Sequence, residues 1–198
     1  MTKGRPRTFD REAAVRKAMM VFWTKGFVST SLNDLTSTLG INPPSFYSAF
    51  GSKEALYREV LDRYDIEIAE KLWGPLLRGG TAQQAVEKWL SNTAKYLTRK
   101  HYPKGCLLSL SGMEGGLSAA LENELRVRRH GMYKRLKNRL LIAQNKNEIS
   151  TGSDCESVAR FYYTIQQGMA ARARDGEAAS ALENTTKSAM SAWPLLTT

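Results

Sequence analysis

The residues best placed for chemistry in this 198-residue chain lie in the stretch INPPSFYSAFGSKEAL, residues 41–56. Pro43 to Phe50 carry no charge, although the chain has 29 Lys and Arg against 19 Asp and Glu, a formal net charge of +10. Ser45, Ser48 and Ala49 are small enough to let a helix backbone approach base edges. Asn42 can pair with adenine, and the ring carbons of Pro43 and Pro44 or the methyl of Ala49 can meet a thymine methyl. This is the chemistry of reading a polyanion whose backbone is held by charge elsewhere. Enzymatic chemistry has no such footing. G-x-S-x-G, H-E-x-x-H, a phosphate loop and a dinucleotide fingerprint are missing, and no catalytic residue is expected. Cys106 and Cys155 lie far apart, without CxxC spacing and with only His101 and His130 as nitrogen partners, so neither a metal nor a cofactor is expected.

The elements that must position this segment are helical, because apolar residues recur at three- and four-residue spacing and period-two runs are short or missing. The expected fold is all-α. Asp10 caps a first helix to about Lys25, with Ala14, Ala18, Val21 and Phe22 on one face. Thr30 or Ser31 caps a second, LNDLTSTL, with Leu32, Leu35 and Leu39 inward. Asn42 caps a third whose Pro43 and Pro44 occupy the first turn, where missing amide hydrogens cost nothing. Ser52 caps a fourth that runs to Gly74-Pro75. Further helices are predicted over about 81–100, 104–117, 118–145, 154–173 and 177–193. The spacing of helices two and three around Gly40 makes a helix-turn-helix, its second helix suited to the major groove. The expected division is 1–55 for a three-helix DNA-binding unit and 56–198 for a larger helical unit.

FDREAAVRKAMMVFWTKGF followed by TSLNDLTSTLGINPPSFYSAFGSKEALYREVLDRY closely resembles the DNA-binding region of the tetracycline-repressor (TetR) family of bacterial regulators. Ala18, Phe22, Gly26, Phe27, Thr30, Leu35, Gly40, Tyr47, Phe50, Lys53 and Leu56 stand at the family's spacing. PKGCLL, GMAARARDG and AMSAWP are similar to one branch of it. The resemblance implies a homodimer that represses transcription from a double-stranded DNA operator until a small-molecule effector binds the larger unit. By the family pattern Tyr47 donates to a phosphate and Asn33 reaches a base or phosphate.

Lys53 would add a charge and a helix N-terminus to the backbone contact. Thr30 and Ser31 are read either as phosphate contacts or as plain caps. Arg5 and Arg7 either enter an A·T-rich minor groove or belong to a solvated tail. Over residues 1–30, seven Lys or Arg face two acids, so charge flanks the neutral reader. A sequence-tolerant architectural DNA binder remains the rival reading.

Trp73, Trp89, Tyr96, Met113 and Tyr133 fall on helices that form the effector cavity in the resembled family. In RVRRHGMYKRLKNR, residues 126–139, one arginine, such as Arg129, is a candidate to turn inward toward an anionic effector. Cys106 is read as a small buried packing residue. Val158, Tyr162, Ile165 and Met169 on one helix, with Ala181, Leu182, Thr185 and Ala189 on the next, suit an interface with a symmetric copy. No export signal or membrane span is read, and a cytoplasmic protein is expected.

Overall fold

The structure, a computed structural model, describes residues 10–111 and 114–198. Among these residues every regular element is helical. Helix α1 (Arg11–Lys25) starts where the Asp10 side chain accepts from the Ala13 amide at 3.0 Å and buries Ala14, Ala18, Met19, Phe22 and Trp23. Helix α2 (Leu32–Leu39) starts with a reciprocal cap: Ser31 accepts from the Asp34 amide while the Asp34 carboxylate accepts from the Ser31 amide. Gly40, at φ +69°, turns the chain into α3 (Pro43–Phe50). That left-handed conformation suits a residue without Cβ.

Ser52 caps α4 (Lys53–Tyr64). The helical path then continues as a π-helical segment Asp65–Ala69, α5 (Glu70–Trp73) and a 3-10 turn Gly74–Leu77. The fourth helix therefore reaches the expected Gly74-Pro75, with a widened turn inside it. The division at residue 55 falls within α4, where no linker interrupts the helix. Leu56, Tyr57, Val60 and Leu61 of that helix share one buried core with α1.

The larger unit holds α6 (Ala82–Leu97), α7 (Leu107–Ser111), α8 (Ala119–Asn145), α9 (Cys155–Arg174), α10 (Ala179–Ser191) and α11 (Trp193–Leu196). Helix α6 lies at its centre, burying Val86, Trp89, Leu90, Ala94 and Leu97 against α9, α10 and the 3-10 turn. This corrects five of the eight residues expected at an interface on the last two helices. Val158, Tyr162, Met169, Leu182 and Ala189 are buried inside the protomer. The Tyr162 hydroxyl donates to the Ala189 carbonyl at 3.2 Å. A helical period reveals that a face is covered but not what covers it, and here the cover is α6, with α8 also packed on α9. Ile165 and Ala181 are half-buried and Thr185 is exposed, so only these three of the eight expected interface residues still reach the surface.

The two units are stitched by direct bonds. Trp23 Nε1 donates to the Gly105 carbonyl at 3.1 Å, and the Arg174 guanidinium donates to the carbonyls of Trp23 and Thr24 at the end of α1. Tyr57 and Ser111 hydroxyls lie 2.8 Å apart. Arg128 of α8 bonds Asp62 at 2.6 Å and Asp65 at 2.7 Å, the second being the first residue of the π-helical segment. Arg58 of α4 answers with Glu124 of α8 at 2.8 Å.

Candidate nucleic-acid interface

Helix α3 is fixed by two aromatic side chains. Phe46 is fully buried and Phe50 nearly so, their ring centroids 5.5 Å apart. Each contributes on the order of 1.5–3 kcal/mol by leaving water. The residues before and between these anchors point outward: Pro43, Pro44, Ser45, Tyr47 and Ser48 are exposed and Ala49 is half-buried. Prolines in the first two positions remove two amides, and Asn42 Oδ1 accepts the third, from Ser45, at 2.9 Å. The start of α3 consequently offers carbon and hydroxyl surface rather than amide donors. Bidentate pairing of Asn42 with adenine needs both side-chain heteroatoms. Oδ1 is oriented by the cap, which leaves its second lone pair and the Asn42 amide nitrogen for a base.

Tyr47 is half-exposed and its hydroxyl makes no hydrogen bond within the described residues. Behind it, the first amides of α4 lack intrahelical partners and form a positive helix end. Asn33 is exposed on α2. These groups can accept a phosphate.

Two other expected phosphate contacts are corrected. Thr30 is fully buried and its hydroxyl donates to the Gly26 carbonyl at 2.5 Å, so that side chain cannot meet DNA. Of the two capping candidates, Ser31 caps α2. Lys53 donates to the carbonyls of Phe27 at 3.0 Å and Thr30 at 2.9 Å, and its ammonium lies 4.4 Å from the Phe27 ring centroid. It ties the α1–α2 turn to α4 rather than projecting toward a backbone.

The flanking charge is also partly spent. Arg11 pairs with Glu59 at 2.6 Å, Arg16 with Glu67 at 2.7 Å and Lys25 with Asp34 at 2.5 Å. These acids come from outside residues 1–30, which is why the local count missed them. Lys17 keeps an exposed ammonium with no ion pair among the described residues. Arg5 and Arg7 lie outside the described residues.

The Lys25 ammonium, followed by the Ser31 amide and hydroxyl, holds the Asp34 carboxyl down at about 2 from an ordinary 3.8. Because the folded state binds this proton more weakly than the unfolded chain, the stabilisation is present above about pH 4 and is lost as pH falls through about 2. Asp34→Asn is expected to flatten the acid arm of the stability profile over that window, measured by thermal melts at stepped pH. An unchanged acid arm would mean that the carboxylate does not hold the start of α2.

The residues expected to meet an effector are scattered. Trp73 and Trp89 are buried, 4.8 Å between ring centroids, and form core. Tyr96 borders a cleft of about 460 Å³ with Lys71, Arg78 and Lys88. Arg129 and Tyr133 share the wall of a cleft of about 440 Å³, and Arg129 also borders a cleft of about 380 Å³ beside α7. The Tyr133 hydroxyl donates to the Glu156 carboxylate. Met113 lies outside the described residues. Sequence reasoning missed Glu114, whose carboxylate accepts from the Val28 amide in the α1–α2 turn at 2.9 Å. Its single acid among glycines was the only available signal.

Residues 14–60 match the family described as bacterial regulatory proteins, tetR family, and residues 82–189 match the tetracyclin repressor-like C-terminal domain. The HTH-type transcriptional repressor ComR of Escherichia coli K12 is 34% identical over 98% of this chain and 94% of its own length. The repressor BdcR of the same strain is 51% identical over 61 residues, 31% of each chain. A TetR family regulator, CifR, solved as a cysteine mutant with 26-base-pair operator DNA, superposes with a TM-score of 0.90 at 34% identity, covering 96% of this chain and 100% of that one. The ComR and CifR similarities span both units and the helix that joins them. The chain belongs to the TetR family of bacterial regulatory proteins, DNA-binding regulators rather than enzymes.

Proposed function

We propose that this chain is a sequence-specific transcriptional repressor of the cytoplasm, which binds a palindromic operator as a homodimer and leaves it when a small organic effector enters the larger unit. The observation that carries the reading is the outer face of α3: neutral, small and hydroxyl-bearing, and rigidly set by Phe46 and Phe50. ComR, similar over nearly the whole chain, bears the name of a repressor, and CifR was solved on operator DNA. Among the described residues no helix is long and apolar enough to cross a membrane.

In this reading Pro43, Pro44, Ser45, Ser48 and Ala49 meet base edges, while Tyr47, Ser31, Asn33 and the start of α4 meet phosphates. Arg5 and Arg7 follow the adjoining minor groove. The dimer forms on the outer side of α9 and α10, where Phe161, Thr164, Ile165 and Gly168 run beside Ala181, Thr185 and Ser188. Phe161 remains 36% exposed there, an aromatic side chain with uncovered apolar area.

Footprinting the purified protein on genomic DNA tests the reading. One or a few protected palindromes are expected; continuous protection without sequence preference would replace the repressor by an architectural DNA binder. Because the Lys53 ammonium is engaged inside the protein, Lys53→Met is expected to lower the thermal midpoint and to weaken operator and random duplex together. Its salt slope should change by well under the roughly one unit that a lost phosphate contact produces. A full unit of change, with an unaltered midpoint, would return Lys53 to the DNA backbone.

A further inference from the structure

Beside α7 a cleft of about 380 Å³ is bordered by Ser111, Glu114, Leu117, Leu125, Arg126 and Arg129, with Glu122 and Asn123 at its edge. The arginines of this stretch of α8 differ in how they are used. Arg128 is saturated by Asp62, Asp65 and Glu124, and Arg126 bonds the Asn123 side chain at 2.6 Å. Arg129 has no ion pair among the described residues, and its Nη1 is buried without a hydrogen-bond partner. A guanidinium donor left unpaired away from water is costly, and the partner that matches its fork is a carboxylate.

Charge defines the ligand further. Two cations, Arg126 and Arg129, and two acids, Glu114 and Glu122, border the same cleft. A dianion such as phosphate would meet both acids, whereas a monoanion can seat on Arg129 with its apolar body along Leu117 and Leu125. A cleft of about 380 Å³ has room for a small organic ligand.

Glu114 connects the cleft to the DNA-binding unit. Its carboxylate accepts from the Val28 amide and lies so close to Gly26 that an added Cβ would stand 2.7 Å from Oε1. Both residues belong to the turn that sets α2 relative to α1, and Lys53 binds the same turn from its other side. A carboxylate seated on Arg129 would share the cleft with Glu114, repel it, and so weaken the acceptor that holds Val28.

We propose that the Arg129 cleft is a binding site for a small organic monocarboxylate, and that Glu114 transmits its occupancy to the helix-turn-helix. The proposal rests on the repressor reading and names the class of its effector. The probes are benzoate, phenylacetate and octanoate, with benzamide, phenylacetamide and octanamide as neutral counterparts and inorganic phosphate as the dianion. All are titrated into the full-length protein by calorimetry, with and without operator DNA.

At least one carboxylate is expected to bind at millimolar concentration or better, and its amide and phosphate to bind far more weakly. Arg129→Gln should weaken that carboxylate roughly ten- to a hundredfold, while Arg135→Gln, elsewhere on α8, should not. Glu114→Gln should keep the carboxylate bound but reduce its effect on operator affinity. Failure of every carboxylate to bind, equal binding of amide or phosphate, or undiminished binding by Arg129→Gln would overturn the site. Undiminished operator release in Glu114→Gln would overturn the relay. Operator binding in the absence of any probe is scored separately, so loss of the repressor reading is distinguishable from loss of this one.

Discussion

Ile165→Glu is expected to yield a monomer whose operator affinity falls by about a hundred- to ten-thousandfold. The side chain sits half-buried at the edge of α9, next to exposed Phe161, Thr164 and Gly168. A carboxylate placed there is solvated in the free protomer but must be desolvated and unpaired when a second copy closes over it. Most of the protomer's own core is left intact, since Val158, Ala159, Tyr162, Gln166, Met169 and Ala170 are fully covered on the inner face of α9 while Ile165 packs against the core only along its edge. Operator affinity then falls because two half-sites bound by one linked dimer gain an effective concentration that separate protomers lack, worth 10²–10⁴ in affinity. Sedimentation velocity reads the oligomer and a fluorescence titration reads the affinity. A dimer that persists with the glutamate in place would move the interface away from the outer face of α9.

Phe46→Ala is the second large effect. Deleting a fully buried phenylalanine from a packed core costs about 3–5 kcal/mol. That is a large fraction of the roughly 5–15 kcal/mol that holds a typical domain together. Helix α3 has eight residues, too few to persist without tertiary packing. Losing Phe46 leaves it docked through Phe50, the edges of Ala49 and Ile41, and the Arg11 bond to the Ala49 carbonyl. We expect a lower thermal midpoint, and operator binding lost at temperatures where the larger unit still melts cooperatively. Operator affinity within tenfold of the parent protein would mean that the anchor does not set the reading face.

What the sequence disclosed and what it withheld divides along distance in the chain. The caps at Asp10, Ser31, Asn42 and Ser52 are local, each decided by a side-chain oxygen and an amide two or three residues on, and each starts its helix as expected. Choosing Ser31 over Thr30 was possible from the acid three residues later, since Asp34 completes the reciprocal cap. Lys53 was misassigned because the carbonyls that hold it belong to residues 27 and 30, a contact no spacing rule reveals. The free cations assumed around α3 were paired by Glu59 and Glu67, about fifty residues away. The buried face of α9 is legible as a stripe, but its partners α6 and α8 are not. Arg129 was one of several equivalent arginines in a basic run until the structure saturated Arg128 and left Arg129 unpaired.

The central claim is that base identity is read by the small, neutral face of α3 and that affinity is supplied beside it. Titration of Pro44→Ala, Ser48→Ala and Tyr47→Phe against operator, every single-base operator variant and random duplex tests it most directly. The account predicts that the Pro44 and Ser48 variants change the preferred base at one position per half-site, with a penalty on the order of 1–3 kcal/mol. Tyr47→Phe should weaken all duplexes alike. A changed base preference in Tyr47→Phe, with Pro44 and Ser48 variants reading the operator as before, would contradict it.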